Sequence, residues 1–148
     1  MTSKSTRLDD QLCFALYAAT NAVVRSYRPK LDSIGLTYPQ YLVMLVLWQG
    51  GAQTVGAIAR RLRLPANGVT PLLDRLDAAG FVERHRDADD RRIVHVTLTD
   101  VGRDLERSAA DAQSQVVCET QMDIASLNAL REELRALVER MEGAECPS

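Results

Sequence analysis

Residues 54–98 constrain the fold more tightly than any other stretch of the chain. Thr54 is placed to cap a short helix over Val55–Leu62, because its hydroxyl can accept from an otherwise orphaned first-turn amide. Leu64-Pro65 then turns the chain. A second helical run follows and stops at Gly80, which sits where a helix exit needs a left-handed residue. Its start has two readings. Asn67-Gly68 is a turn signal and Thr70-Pro71 an N-cap followed by proline, so propensity starts the helix at Thr70. A start near Pro65 would instead put Pro71 inside the helix, without its ladder hydrogen bond. Two β-prone runs, Phe81–Arg86 and Ile93–Leu98, flank the charged turn Asp87-Ala88-Asp89-Asp90-Arg91-Arg92. They predict a two-stranded hairpin with an exposed tip, with Val94, Val96 and Leu98 on one face.

The flanking segments read as helices. Residues 8–28 lack Gly and Pro and repeat apolar residues at Leu8, Leu12, Leu16, Ala19, Val23 and Tyr27, after which Pro29 closes the helix. Thr37-Tyr38-Pro39-Gln40 is a capping box. It opens a run, Tyr41–Trp48, that is apolar on every side and therefore expected to be buried all round, ending at Gly50-Gly51. Thr99 caps a long helical region from Asp100 to about Glu142, with a break near Asp123-Ile124. Its last part carries a stripe of Leu127, Leu130, Leu134, Leu137, Val138 and Met141, and Gly143–Ser148 reads as a frayed tail.

At 148 residues, 46% hydrophobic and 26% charged, the chain is expected to form one domain (1–148) with its own core. No apolar run is long enough to cross a membrane. The polar start, Met1–Asp10, fits no signal peptide, so the expected location is the cytoplasm.

Helix, tight turn, helix and hairpin is the order of a winged helix-turn-helix, giving a mainly α fold with a small β wing. The net charge of −2 argues against a nucleic-acid partner, and charge alone reads as a solvated surface, but the placement of the arginines on this order of elements argues for one. Residues 60–92 hold eight Arg against six acids, while the remainder holds ten basic and fourteen acidic residues. Arginine suits bidentate contact with phosphates and guanine edges. Double-stranded DNA is the expected partner, with Asn67, Gly68, Thr70 and Arg75 of the second helix at the major groove. Arg86, Arg91 and Arg92 of the hairpin are assigned to the same interface, the tip arginines reaching a narrow minor groove.

Three cysteines, Cys13, Cys118 and Cys146, fit no zinc pattern and no CxxC pair, and His85 and His95 have no ligand spacing. No metal, cofactor, phosphate loop or nucleophile elbow is expected. Cys13 lies in a helix rich in leucine and aromatic residues, where a thiol is ordinarily a small buried hydrophobe. A sensing thiol must instead ionise, and phenol donors favour the thiolate because hydrogen bonds to a charged form stabilise it.

The helix-turn-helix followed by Asp-Asp-Arg-Arg-Ile-Val-His-Val-Thr-Leu-Thr (89–99) resembles the MarR family of dimeric repressors, over nearly the whole chain. Leu12–Ala18 and Leu36–Leu42 resemble the organic hydroperoxide resistance regulators within it, of the two-cysteine type. The resemblance implies a peroxide-sensing Cys13 and a resolving Cys118 that pairs with the sensor of the other subunit. It places the thiolate-stabilising tyrosines at Tyr27 and Tyr38 and a third pocket aromatic at Tyr17. Asp90 and Arg92 match the family's wing-tip Asp-x-Arg. The implied assembly is an intertwined homodimer built from helices at 8–28 and 100–142. It would bind pseudo-palindromic operator DNA through residues 54–98 and release it on oxidation by organic hydroperoxides. The chain departs from the subgroup at Pro65-Ala66-Asn67-Gly68 and at Asp74, where relatives carry an Asp-Ser-Gly-like cap and a lysine; an acid facing DNA repels phosphate. Two other readings stand beside this one: a repressor relieved by a small phenolic ligand with Cys13 merely buried, and a thiol peroxidase using Cys13 and Cys118.

Overall fold

The computed structural model describes residues 4–144. A 3-10 turn (Leu8–Asp10) precedes helices α1 (Leu12–Asp32) and α2 (Tyr38–Gly50), strand β1 (Gln53–Thr54) and helices α3 (Val55–Leu62) and α4 (Ala66–Ala78). Strands β2 (Val82–Arg86) and β3 (Val94–Leu98) follow, then helices α5 (Asp100–Glu119) and α6 (Ile124–Gly143). Residues up to Val116 form one compact unit and those from Val117 a second.

Local chemistry sets most helix starts in the first unit. The capping box at Thr37 forms: the Gln40 amide donates to Thr37 Oγ1 (3.4 Å) and the Thr37 amide to Gln40 Oε1 (3.0 Å). Thr54 accepts from the Ala57 amide (3.1 Å), and Thr99 from the Gly102 amide (3.0 Å). Gly80, at φ +82°, ends α4 in a Schellman turn, with Gly80 N–H donating to Asp77 C=O (2.9 Å) and Phe81 N–H to Leu76 C=O (3.0 Å).

The core lies between α2, α3, α4 and the strands. Val43, Met44 and Leu47 of α2, Ile58 of α3, and Val69, Leu73 and Leu76 of α4 are fully buried, with Leu31 of α1 joining them. α2 is not buried all round as its sequence suggests, since Leu45 is 39% exposed.

Three boundaries differ from the sequence reading. Helical structure at the N-terminus breaks at Gln11, so α1 proper begins at Leu12; it then runs through Pro29 to Asp32. The missing proline donor falls in the last two turns, and the additional turn carries Leu31 into the core at 0% exposure. α4 begins at Ala66, not Thr70, with Asn67 and Gly68 helical and Pro71 inside. Val69, Leu73 and Leu76 recur at i, i+4 and i+7 and are all fully buried, which requires helical phase before Thr70. Burying Val69 contributes about 1.5–3 kcal/mol, and with the backbone bonds of the added turn it offsets the roughly 3 kcal/mol cost of an internal proline. Finally, the hairpin is part of a three-stranded antiparallel sheet, β1-β3-β2, with Thr54 opposite His95 and Arg84 opposite Val96. β1 has two residues, too few for a period to show in sequence.

In the second unit, Asp123 caps α6 by accepting from the Ser126 amide (3.4 Å). α6 buries no residue: Leu130 and Met141 of its apolar stripe are exposed at 47% and 72%, and Ile124 at its start at 75%. Gly143 ends this helix, and Cys146 lies outside the described residues.

Candidate nucleic-acid interface and thiol site

A cavity of about 630 Å³ opens between α3, α4 and the wing, walled by Arg60, Thr70, Leu73, Arg84, Arg86, Arg92, Ile93 and Val94. Four of these residues are arginines, so a chain of net charge −2 gathers guanidinium groups around this concavity. Asn67, Gly68 and Thr70 are exposed on the first turns of α4, and Arg75 is exposed one turn on. The Thr70 hydroxyl turns back to donate to Ala66 C=O (3.2 Å).

The hairpin tip is organised around two carboxylates. Asp87 Oδ2 accepts from the amides of Asp89 and Asp90 (3.0 Å each), while Asp87 Oδ1 meets His95 Nε2 at 2.8 Å. The His95 contact, and then those two amides, hold the Asp87 carboxyl below its usual range. Asp90 accepts from the Arg92 amide (3.0 Å), from Nε (3.1 Å) and from Nη2 (3.1 Å), and this fork holds its carboxyl low as well. Arg92 is thereby aimed while its side chain remains 90% exposed. Arg86 Nη1 donates to Arg91 C=O (2.7 Å), tying β2 to the tip.

Asp74, the residue expected to repel DNA, is paired. Arg84 of β2 donates from Nη1 to Asp74 Oδ1 and from Nε to Asp77 Oδ2 (3.1 Å), so one guanidinium spans two acids on successive turns of α4. Asp74, with Asp77 behind it, raises the Arg84 pKa above its ordinary value. Sequence reasoning missed both Arg84 and Arg60. The signal for Arg84 was strand alternation: Val82, Arg84 and Arg86 share one face, and Val82 is buried.

The thiol and the tyrosines occupy different places. Cys13 is exposed in the first turn of α1, beside Leu12 (60% exposed) and Phe14 (38%). Tyr17, one turn on, is 67% exposed. Tyr27 and Tyr38 form an aromatic cluster with Tyr41, their ring centroids 5.5 Å (27–38), 5.2 Å (27–41) and 6.2 Å (38–41) apart. Burial is the main cause that raises all three phenol pKa values, and Tyr27 is also hydrogen-bonded to Tyr41. Tyr38 also lines a concavity of about 250 Å³ with Val24, Arg28, Leu36 and Pro39. Cys13 and Tyr27 lie on one helix, 14 residues apart. At about 1.5 Å of rise per residue that is roughly 21 Å, beyond any hydrogen bond within the chain. Cys118 is exposed in the last turn of α5.

The profile of the MarR family matches residues 36–94. The organic hydroperoxide resistance transcriptional regulator of Bacillus subtilis (strain 168) is 34% identical over 91% of this chain and 92% of its own. The chain belongs to the MarR family. It is also 54% identical to the HTH-type transcriptional regulator TtmR of Methylorubrum extorquens (strain PA1), over 66% of this chain and 50% of that one, so it spans half the length of that relative. Among solved structures, reduced AbfR bound to DNA is similar at a TM-score of 0.77 and 35% identity, over 93% of this chain and 97% of the other. The disulfide form of AbfR is similar at 0.67 and 37%, over 90% and 93%. The MarR profile spans α2 through the first residue of β3. Cys13 and Cys118 lie outside it.

Proposed function

We propose that this MarR-family chain is a peroxide-sensing repressor, a homodimer that binds pseudo-palindromic operator DNA when reduced and releases it when Cys13 is oxidised by an organic hydroperoxide. The observation that supports the reading is a separation: Cys13 and Tyr27, the pair this reading brings together, cannot meet within one chain. Cys13 is exposed, Tyr27 buried and Tyr38 partly buried on one chain, with the thiol about 21 Å along α1 from Tyr27. A second copy can supply the tyrosines to each thiol. The exposed apolar residues of the α1 arm and of α6 provide surface for that pairing. The names of the relatives support the chemistry: one is an organic hydroperoxide resistance regulator, and AbfR has been solved reduced on DNA and as a disulfide.

In this reading the phenols donate to the Cys13 thiolate, which attacks the peroxide oxygen. The O–O bond breaks, sulfur loses two electrons to become a sulfenic acid, and the alkoxide leaves as the alcohol after protonation. The Cys118 thiolate of the other subunit displaces the sulfenic oxygen as water, leaving a Cys13–Cys118 disulfide. The test mixes Cys13→Ser and Cys118→Ser subunits, refolds them together and adds cumene hydroperoxide. A disulfide joining the two variant chains, seen as a dimer on a non-reducing gel, is expected. Disulfide only in wild-type protein, never in the mixed dimer, would refute the intersubunit pairing.

Two further outcomes follow. Tyr27→Phe and Tyr38→Phe each remove one donor, so the pH–rate profile of thiol loss moves upward by about one unit; stopped-flow thiol titration from pH 5 to 9 reads it, and an unmoved profile removes the tyrosines from the mechanism. Arg92→Ala weakens operator binding about tenfold and lowers the salt slope by about one, as loss of one phosphate or minor-groove arginine does. Its Cys13 oxidation rate stays at the wild-type value, because the wing is separate from the thiol; fluorescence anisotropy at several salt concentrations measures the first effect and thiol titration the second.

A further inference from the structure

The helix proposed to enter DNA carries the wrong charge. Over Ala66–Ala78 its only charged residues are Asp74, Arg75 and Asp77, a net of −1. Asp74 is 58% and Asp77 42% exposed, so neither is hidden from an incoming phosphate. Arg84, the least exposed partner at 28%, reaches from β2 to both carboxylates and brings the local sum to zero. The same strand is joined through Arg86 to Arg91 C=O, and so to the tip that carries Arg92 (2.7 Å). A continuous set of polar contacts therefore runs from the recognition helix, through β2, to the wing tip. Major-groove and minor-groove contacts are made together only if helix and wing keep a fixed separation.

We propose that Arg84 is a positioning residue of the DNA interface: by bridging Asp74 and Asp77 it clamps the wing to the recognition helix and cancels the acids that face DNA. This rests on the DNA-binding reading above and deepens it. Arg84 acts on the groove spacing and touches no phosphate, since its guanidinium is committed to the two carboxylates. It thereby allows a helix bearing Asp74 to address DNA.

The experiment compares wild type, Arg84→Gln and the double variant Asp74→Asn/Asp77→Asn, all as full-length reduced protein. The probe is a fluorescent duplex selected by the wild type from a random library, set against a scrambled duplex of the same composition. Arg84→Gln is expected to lower the preference for the selected duplex about tenfold while leaving its salt slope unchanged, because no phosphate contact is lost. The double variant frees Arg84. It is expected to bind the scrambled duplex more tightly with a salt slope about one larger, and to lose preference for the selected one. A salt slope about one smaller in Arg84→Gln, or an unchanged preference in the double variant, would make Arg84 a plain phosphate contact and overturn the clamp. Hydrogen exchange without DNA provides an independent reading. Amides of Val82–Arg86 should exchange faster in both variants, while those of Val43–Leu47 stay protected and so report an intact fold. Unchanged exchange in β2 overturns the clamp even if the wild type selects no duplex, an outcome that would separately refute the DNA reading.

Discussion

Cys13→Ser is expected to bind its operator as tightly as the wild type and to keep that affinity in organic hydroperoxide, while the wild type loses about a hundredfold. The substitution replaces one sulfur by oxygen at an exposed position in the first turn of α1, so neither packing nor the DNA-reading face changes. What changes is chemistry: a serine hydroxyl cannot be oxidised to a sulfenic acid. A hundredfold release needs only about 2.7 kcal/mol of difference between the oxidised and reduced states, well within what a displaced helix supplies. Cys118→Ser separates the two oxidation steps. Its Cys13 should still take up oxygen, visible as added mass, but without the disulfide most of the operator affinity should remain. Anisotropy with and without stoichiometric cumene hydroperoxide, alongside intact-mass spectrometry, measures all three proteins. Release of Cys13→Ser by peroxide would end the redox reading and favour a ligand-relieved repressor.

The parts legible in the sequence are those decided within a few residues. Thr37, Thr54 and Thr99 each cap the helix they precede, because the donor that each hydroxyl satisfies lies three residues away. Gly80 likewise needs only its own positive φ. The parts that were not legible depend on distant partners. Thr70-Pro71 is a sound local start signal, and it loses because Val69 is drawn into a core assembled from α2 and the strands. Pro29 fails to stop α1 for the same reason, acting through Leu31. Strand alternation puts Arg84 on one face of β2, but its partners lie seven and ten positions away on a different element, so no periodicity could show the bridge itself. The candidate thiol switch is a different case. Physics alone allowed Cys13 to be a buried hydrophobe; the resemblance singled it out, and the fold then placed it on the surface. The separation along α1 turns that observation into a proposal about two chains rather than one.

Gly102→Ala is expected to destabilise the protein by roughly 2–3 kcal/mol, although alanine is the better helix former by about 1 kcal/mol. Gly102 is the third residue of α5 and is buried. A Cβ there would stand 2.1 Å from the backbone oxygen of Phe81. That oxygen cannot simply retreat, because it accepts from the Thr99 amide (3.1 Å). Nor can α5 easily lift away. The Thr99 hydroxyl donates to Gly80 C=O (2.6 Å) while accepting from the Gly102 amide, and Trp48 Nε1 donates to Gly102 C=O (3.0 Å). The added methyl must therefore break at least one bond in a set that joins α2, the α4–β2 turn and α5. A loss of this size removes a large part of the 5–15 kcal/mol by which folded domains of this kind are stable. Urea denaturation followed by tryptophan emission measures it directly. Trp48 is the only tryptophan in the chain, and its indole lies at the strained contact. The expected result is a lower midpoint at an unchanged m value. A midpoint equal to the wild type would mean that α5 can slide past Phe81, and that the start of this helix is not held rigidly against the wing.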